Sequence, residues 1–347
     1  MTHPPPASRR YFFLVLAVVW IGWLAIMLHD QAWGLFRDNW FMTATMCVGS
    51  FIAGATSEGG GAVAFPVMTL LFGIEPSVAR DFSLMIQSVG MTAASVLIFC
   101  FGIKVEWQAI LFAGIGGTLG MILGLSFVAP HCAPSFVKMF FTSLWLSFAV
   151  ALYLINRNRK RNTSSLIQQC AGRERLLLIA IGVMGGVVSS MTGSGLDIMT
   201  FTLLTLFFRV SEKVATPTSV VLMGGNAVVG FAWRGVVQQQ LPIEAWNFWY
   251  VCIPVVVVGA PLGAYFIRQR TRQFVARLLY ASIAVQFVAA LVIVPQTASL
   301  VVASCLTFVF GICLFGSMAL AGGKRLHHET VTSESLAGIG NALETNS

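Results

Sequence analysis

Long apolar stretches recur along the whole chain and constrain its fold more than any other feature. Runs long enough for a helix to cross a bilayer, about 20 residues, recur from residue 11 to residue 320. Only 10% of the 347 residues are charged, whereas soluble domains carry about 25%. A transmembrane β-barrel would alternate polar and apolar residues in segments of about ten, and the sequence shows no such alternation. The sequence therefore predicts an all-α polytopic membrane protein in a lipid bilayer.

The apolar runs predict eight single crossings and two divided stretches. The predicted spans are 11–28, 41–56 with 61–73, 82–101, 107–129, 134–155, 176–191 with 196–208, 216–237, 245–266, 273–294 and 298–320. The first run is long and lacks a small-residue cleavage site, so it is interpreted as a retained helix rather than a signal peptide. The two divided stretches split at glycines into pieces too short to cross, which is typical of re-entrant hairpins or broken helices.

The distribution of lysine and arginine tests these hairpins. If each hairpin returns to the face from which it entered, 17 of the 21 basic residues lie on the cytoplasmic side, and both termini are cytoplasmic. Counting either hairpin as one crossing would invert every later segment and remove this bias. The positive-inside rule therefore favours two hairpins in an inner cell membrane. The net charge of +8 is a topology signal rather than a nucleic-acid surface.

The two divided stretches also match each other without a gap. Residues 55–83 (ATSEGGGAVAFPVMTLLFGIEPSVARDFS) overlay residues 191–219 (MTGSGLDIMTFTLLTLFFRVSEKVATPTS) at an offset of 136. Each unit holds one hairpin and three crossings, an odd number, so the second unit is predicted to be inverted. The chain is divided into an N-terminal helix with an outer loop, a first repeat, a basic cytoplasmic linker, a second repeat, and a last helix with a cytoplasmic tail. Their bounds are 1–40, 41–155, 156–175, 176–294 and 295–347.

The order of features around the first hairpin resembles the TauE/SafE sulfite-exporter family. These features are Gly59-Gly60-Gly61 followed by Pro66, then Pro76-x-x-Ala79 and Ser83, with a weaker repetition in the second half. The resemblance covers about residues 41–320. It implies an integral membrane transporter, not an enzyme, that exports small sulfur-containing anions such as sulfite or organosulfonates (sulfoacetate, for example). The second half has GSGLD at 193–197 in place of the glycine triplet, which leaves the identity of the anion open.

Inverted repeats with interrupted helices are typical of secondary transporters that work by alternating access. A small-anion channel, or an uptake carrier for another small anion, is the alternative function. The sequence contains no P-loop for nucleotide hydrolysis and no nucleophile–base or metal-ligand set at membrane depth, so no cofactor is expected. No nucleic-acid partner is expected either, and a homodimer is among the assemblies that the sequence leaves open.

The two glycine-rich breaks form the predicted substrate site. Helix N-termini offer unpaired N–H groups and partial positive charge, and glycine lets such groups approach an anion closely. If helices resume near Gly61 and Leu196, the two tips face each other near the membrane midplane. The competing interpretation is close packing of the tips, with interhelical hydrogen bonding by the polar side chains. The predicted substrate-binding residues are Ser57, Glu58, Gly59, Gly60, Gly61, Gln87, Thr192, Gly193, Ser194, Gly195 and Asn226.

Two acids at the breaks are candidates for proton coupling, Glu58 and Asp197. An acid at membrane depth marks a functional site by default. Glu58 is interpreted either as a proton acceptor linked to anion occupancy or as a structural hydrogen-bond partner of the opposite hairpin. Asp197, three residues after Ser194, is either a proton carrier or part of a capping box.

Other charged and small residues have structural interpretations. Arg80 and Asp81 are expected to form a local ion pair, although Arg80 could also attract anions. Lys138 and Arg234 are expected to extend towards the membrane interface. The spacing of five further glycines indicates close helix packing. They are Gly116, Gly120, Gly124, Gly259 and Gly263.

Overall fold

The structure is a computed structural model that describes residues 9–56, 59–156, 164, 166–167, 171–267 and 272–344. Its described residues form twelve α-helices, and eight of these are long and apolar enough to cross a membrane. The helices are α1 (Arg9–His29), α2 (Leu35–Ala55), α3 (Gly59–Pro66), α4 (Pro76–Cys100), α5 (Trp107–Leu123), α6 (Pro134–Asn156), α7 (Gly172–Thr192), α8 (Leu196–Thr202), α9 (Glu212–Ala232), α10 (Ile243–Ile267), α11 (Arg272–Ile293) and α12 (Ala298–Glu344). The predicted all-α membrane fold is confirmed.

Each predicted hairpin consists of one long arm and one short arm. The long arms α2 and α7 have 21 residues each, or roughly 30 Å at about 1.5 Å per residue. The short arms are α3, with 8 residues, and α8, with 7, each continued by a π-helical segment of 5 residues. Each long arm is therefore longer than its predicted piece (41–56 or 176–191), and α7, unlike α2, is among the eight helices long and apolar enough to cross. The first turns of α2 and α7 contain polar residues such as Asp38 and Glu174. A prediction from apolar runs does not include these turns, and this is why the predicted pieces were shorter.

The backbone after each short arm repeats at the predicted offset of 136. The π-helical segments are Val67–Leu71 and Leu203–Phe207, and each is followed by a residue in the left-handed conformation. These residues are Gly73, with φ of 66°, and Arg209, with φ of 57°. The next helices, α4 and α9, begin at equivalent positions. The local repeat is thus present in the backbone, and the inverted orientation of the second unit stays a prediction.

Close packing joins each half to the other. α5 of the first half packs against α7, and α10 of the second half packs against α2. A Cβ atom added at Gly120 would overlap Val183, and one added at Gly263 would overlap Phe51. The same holds for Gly116, Gly124 and Gly259 against their neighbours on α7 and α2. The packing role predicted for these five glycines is confirmed.

The Gly120→Ala variant is expected to lower the thermal unfolding temperature, because its methyl group would meet the α7 backbone. Overpacking of this kind costs about 1–3 kcal/mol. Gly225→Ala is the matched control, since no described residue lies within 4 Å of its added Cβ in α9. Detergent-solubilised protein heated and then analysed by size exclusion gives the measurement. Equal unfolding temperatures for the two variants would contradict the packing role.

Part of the linker between the halves is pinned to the helices by hydrogen bonds. The Glu106 carboxylate at the start of α5 accepts a bond from Ile167 N at 2.8 Å, while Glu106 N donates to Thr218 Oγ1 at 2.8 Å. Ser164 N donates to Arg209 O at 3.0 Å, just after the second short arm. Glu106 is buried. The described linker residues are therefore an integral part of the fold.

Candidate functional site

The tip of the second hairpin lies against the middle of α4. Gly193 connects α7 to α8 with φ of 80°, and its carbonyl accepts a hydrogen bond from Gln87 Nε2 at 2.7 Å. The same nitrogen donates to Ser83 O at 3.0 Å, which fixes the side chain along α4. A Cβ atom on Gly193 would overlap the Ser83 side chain. Glycine is therefore required at this tip by its backbone conformation and by the available space.

Asp197 binds the backbone at the start of α8. Its Oδ1 atom accepts bonds from Gly195 N at 2.9 Å and Ile198 N at 3.0 Å, and its Oδ2 atom accepts one from Ser194 Oγ at 2.9 Å. The residue is 1% exposed. This geometry supports the capping interpretation of Asp197, because the carboxylate satisfies donors that the helix leaves unpaired.

Other bonds within the tip use further backbone groups. Leu196 N donates to Ser189 Oγ at 3.0 Å, and Thr192 Oγ1 donates to Ser194 O at 2.7 Å. Gly193 N donates to Ser189 O at 2.7 Å. Two N–H groups in the predicted anion cradle at 192–195, those of Gly193 and Gly195, are thus already donors within the protein. An anion at this tip would have to bind neighbouring side chains or replace the Asp197 carboxylate.

Asn226 lies midway along α9, close to the same tip. A Cβ atom added to Gly117, at the middle of α5, would lie 3.4 Å from Asn226 Oδ1 and 2.6 Å from a methyl group of Leu196. Asn226 therefore lies close to the first residue of α8, while Gln87 binds the residue that follows α7. The structure brings the predicted residues Gln87, Asn226 and 192–195 together where α4, α5 and α9 meet the second hairpin.

Several polar atoms around this tip are buried without a hydrogen-bond partner among the described residues. They are Ser83 Oγ, Gln87 Oε1, and both amide atoms of Asn226. None of these three residues is more than 3% exposed. An unsatisfied buried polar group costs about 1–3 kcal/mol, and such groups are rare in folded proteins. A small polar ligand would supply the missing partners.

The first hairpin tip is described only in part. Gly59, Gly60 and Gly61 form the first turn of α3, whereas Ser57 and Glu58 lie outside the described residues. The helix thus resumes two residues before the predicted Gly61, while the predicted start of α8 at Leu196 is confirmed. Roles for Ser57, Glu58 and the triplet in substrate binding stay predictions.

Comparison with protein families gives one match. The family model Sulfite exporter TauE/SafE matches residues 5–146 and 41–291. The chain belongs to this family. It is a membrane transporter of the TauE/SafE type and not an enzyme. Comparison with curated proteins and with solved structures gives no match. Among the residues that the structure describes, no group of three or more His, Cys, Asp or Glu could hold a metal ion.

The sequence did not predict the whole of one charged cluster in this TauE/SafE transporter. The expected pair is present, with Arg80 Nε donating to Asp81 Oδ1 at 2.8 Å. Arg234 joins this pair, which the sequence did not indicate, and its extension towards the membrane interface stays a prediction. Its Nη2 atom donates to Asp81 Oδ2 at 2.7 Å, and its side chain is 12% exposed. The only sequence signal was Asp81 itself, since an acid near the membrane requires a partner.

Lys138 in this TauE/SafE chain is also bound within the protein. Its Nζ atom donates to Thr69 O at 2.8 Å, in the π-helical segment after α3. Because a π-helical turn disturbs the regular ladder of carbonyls, an external donor at Thr69 stabilises the short arm. The partner of Lys138 thus lies on the first hairpin, and its extension towards the membrane interface stays a prediction.

Proposed function

We propose that this TauE/SafE transporter exports sulfite or organosulfonates such as sulfoacetate by alternating access. The observation that supports this most is the group of unpartnered polar atoms of Ser83, Gln87 and Asn226 at the second tip. Amide and hydroxyl groups can bind a small anion through hydrogen bonds without a permanent counter-charge. Binding of that kind is strong enough for recognition and weak enough for release.

The paired packing of the halves supports alternating access. The long arm α7 is held by α5 of the other half, and the long arm α2 is held by α10. In the proposed mechanism, each hairpin moves together with helices of the opposite repeat. We further propose that the protein lies in the inner membrane with both termini in the cytoplasm. This orientation places most of the basic residues on the cytoplasmic side.

Flux measured in proteoliposomes tests the function. We expect sulfite and sulfoacetate to move faster than sulfate and acetate, with saturation at high concentration and with a response to an imposed pH gradient. Empty liposomes give the background. Flux that does not saturate and far exceeds carrier turnover would instead identify a channel. Absence of flux for every sulfur anion would contradict the proposed function.

Proton coupling is proposed to depend on Glu58. The Glu58→Gln variant is expected to transport without responding to the pH gradient, because glutamine is close in size but cannot take up a proton. Glu75→Gln is the control, since Glu75 is an exposed acid at the start of α4. Initial rates with and without a pH gradient give the measurement. An unchanged gradient response in Glu58→Gln would eliminate this role.

A further inference from the structure

A buried ion cluster ties α4 to α9 at one end of their contact. Asp81 lies in the second turn of α4 and is 1% exposed. Its Oδ1 atom is 2.8 Å from Arg80 Nη2, and its Oδ2 atom is 2.7 Å from Nη2 of Arg234, in the π-helical segment Trp233–Val237 that continues α9. Arg234 Nε also lies 3.1 Å from Oδ1, so this guanidinium contacts both carboxylate oxygens. The two halves of the protein are thus joined by charge at this end.

The cluster has one negative and two positive groups. The other donors of Arg234 bind its own helix end, with Nη1 at 3.0 Å from Gln238 Oε1 and Nη2 at 2.8 Å from Gln240 O. These bonds tie Arg234 to the end of its own helix without the help of Asp81. Asp81 is the group through which this guanidinium holds α4. The net charge of about +1 favours an additional anion at this position.

The cluster lies directly beside the second hairpin tip. A Cβ atom added to Gly193 would lie 3.0 Å from Arg80 O. Ser83 and Gln87, whose unpartnered oxygens are part of the proposed site, follow Arg80 by three and seven residues on α4. Such spacing places the three side chains on one face of the helix. A continuous polar face therefore leads from the cluster to the tip.

The equivalent positions at the other end of the α4–α9 contact carry no charge. The offset of 136 relates Arg80 to Thr216, Asp81 to Pro217, and Arg234 to Ile98. Ile98 is buried in an apolar cluster. A competing anion can break an ion pair, whereas it cannot separate apolar side chains. The two ends of this contact are therefore held by different kinds of interaction.

We propose that the cluster of Arg80, Asp81 and Arg234 is a gate that substrate anions open. A small oxyanion binds the two guanidinium groups in place of Asp81, and α4 and α9 then separate at this end. Guanidinium groups bind sulfonate-type oxygens in the same forked geometry as carboxylate oxygens. The gate rests on the proposed function for the identity of the anion, and its charge selects anions before they reach the tip.

Thiol labelling of a Ser83→Cys variant tests the gate without requiring transport. The protein is placed in nanodiscs, treated with a small charged maleimide, and analysed by peptide mass spectrometry, which separates position 83 from the native cysteines. We expect slow labelling in buffer and at least tenfold faster labelling with saturating sulfoacetate. Sodium chloride at equal ionic strength should have a much smaller effect. Adding Asp81→Asn should give fast labelling without any anion.

Two further variants serve as controls, one for the position of the label and one for loss of folding. Ser219→Cys, at the position equivalent to Ser83, should label at a rate that neither sulfoacetate nor Asp81→Asn changes. The exchange Asp81→Arg with Arg234→Asp should restore slow labelling at position 83, which loss of folding could not do. Unchanged labelling with sulfoacetate would overturn the anion-operated gate, even if liposomes transport sulfoacetate. Faster labelling in a protein that transports no sulfur anion would support the gate and contradict the proposed function.

Discussion

The Gly193→Ala variant is expected to lose almost all transport while it remains in the membrane. Gly193 has φ of 80°, and a Cβ atom there would overlap Ser83. The left-handed conformation costs a non-glycine residue about 1–2 kcal/mol, and overpacking adds about 1–3 kcal/mol. The tip must therefore move away from α4, which breaks its bond with Gln87. Sulfoacetate flux per correctly folded protein gives the measurement.

Gly73→Ala separates conformational strain from loss of space. Gly73 has φ of 66°, close to that of Gly193, but within the part of the chain that the structure describes nothing lies within 4 Å of its added Cβ. We expect this variant to retain more than half of the wild-type flux. Comparable losses in both variants would show that strain alone is responsible. Comparable retention in both would show that the tip position does not control transport.

The Asp197→Ala variant is expected to have the largest effect on stability. It leaves Ser194 Oγ, Gly195 N and Ile198 N without their carboxylate acceptor in a buried site. At about 1–3 kcal/mol for each unsatisfied group, the expected loss is on the order of 3 kcal/mol or more. The thermal unfolding temperature in detergent, compared with that of Ser194→Ala, gives the measurement. Ser194→Ala removes one of these bonds and should cost less.

Asp197→Asn distinguishes the cap from a proton carrier. Asparagine keeps an oxygen for the two N–H groups, and its amide can donate to Ser194 Oγ. If Asp197 is the cap, the variant should remain stable and retain the response of transport to a pH gradient. Loss of that response at unchanged stability would assign the proton to Asp197 rather than to Glu58.

The regular features of this fold could be predicted because they depend on local sequence. Apolar run length located seven of the eight predicted single crossings, all but 273–294, as helices able to span, and the glycine-rich breaks located the turns between α2 and α3 and between α7 and α8. The start of α8 at Leu196 followed from the glycine break at 193–195. The repeat was visible because the same turn is needed twice, although Arg209 takes the left-handed conformation that Gly73 adopts more easily. Local patterns sufficed for all of these.

The long-range contacts could not be predicted because no pattern in one sequence joins distant residues. Asp81 and Arg234 are separated by 153 positions, and Lys138 binds a carbonyl group, which no side-chain pattern marks. The Glu106 carboxylate accepts a hydrogen bond from the backbone N–H of Ile167 in the linker. The π-helical segments were also missed, since their apolar residues equally suit an α-helix. In each case the partner is decided by tertiary packing.

Each half packs its glycine-containing helices against the other half, and this arrangement has a consequence for biogenesis. While the first half emerges from the ribosome, α2 and α5 lack the helices against which they pack, because α10 and α7 are synthesised later. The membrane must therefore hold an inserted but unpaired first half until synthesis reaches α10. Each half then provides the helix surface against which the other half packs as it folds. A chain cut within the linker should assemble when both pieces are synthesised together, and neither piece should reach a compact state alone.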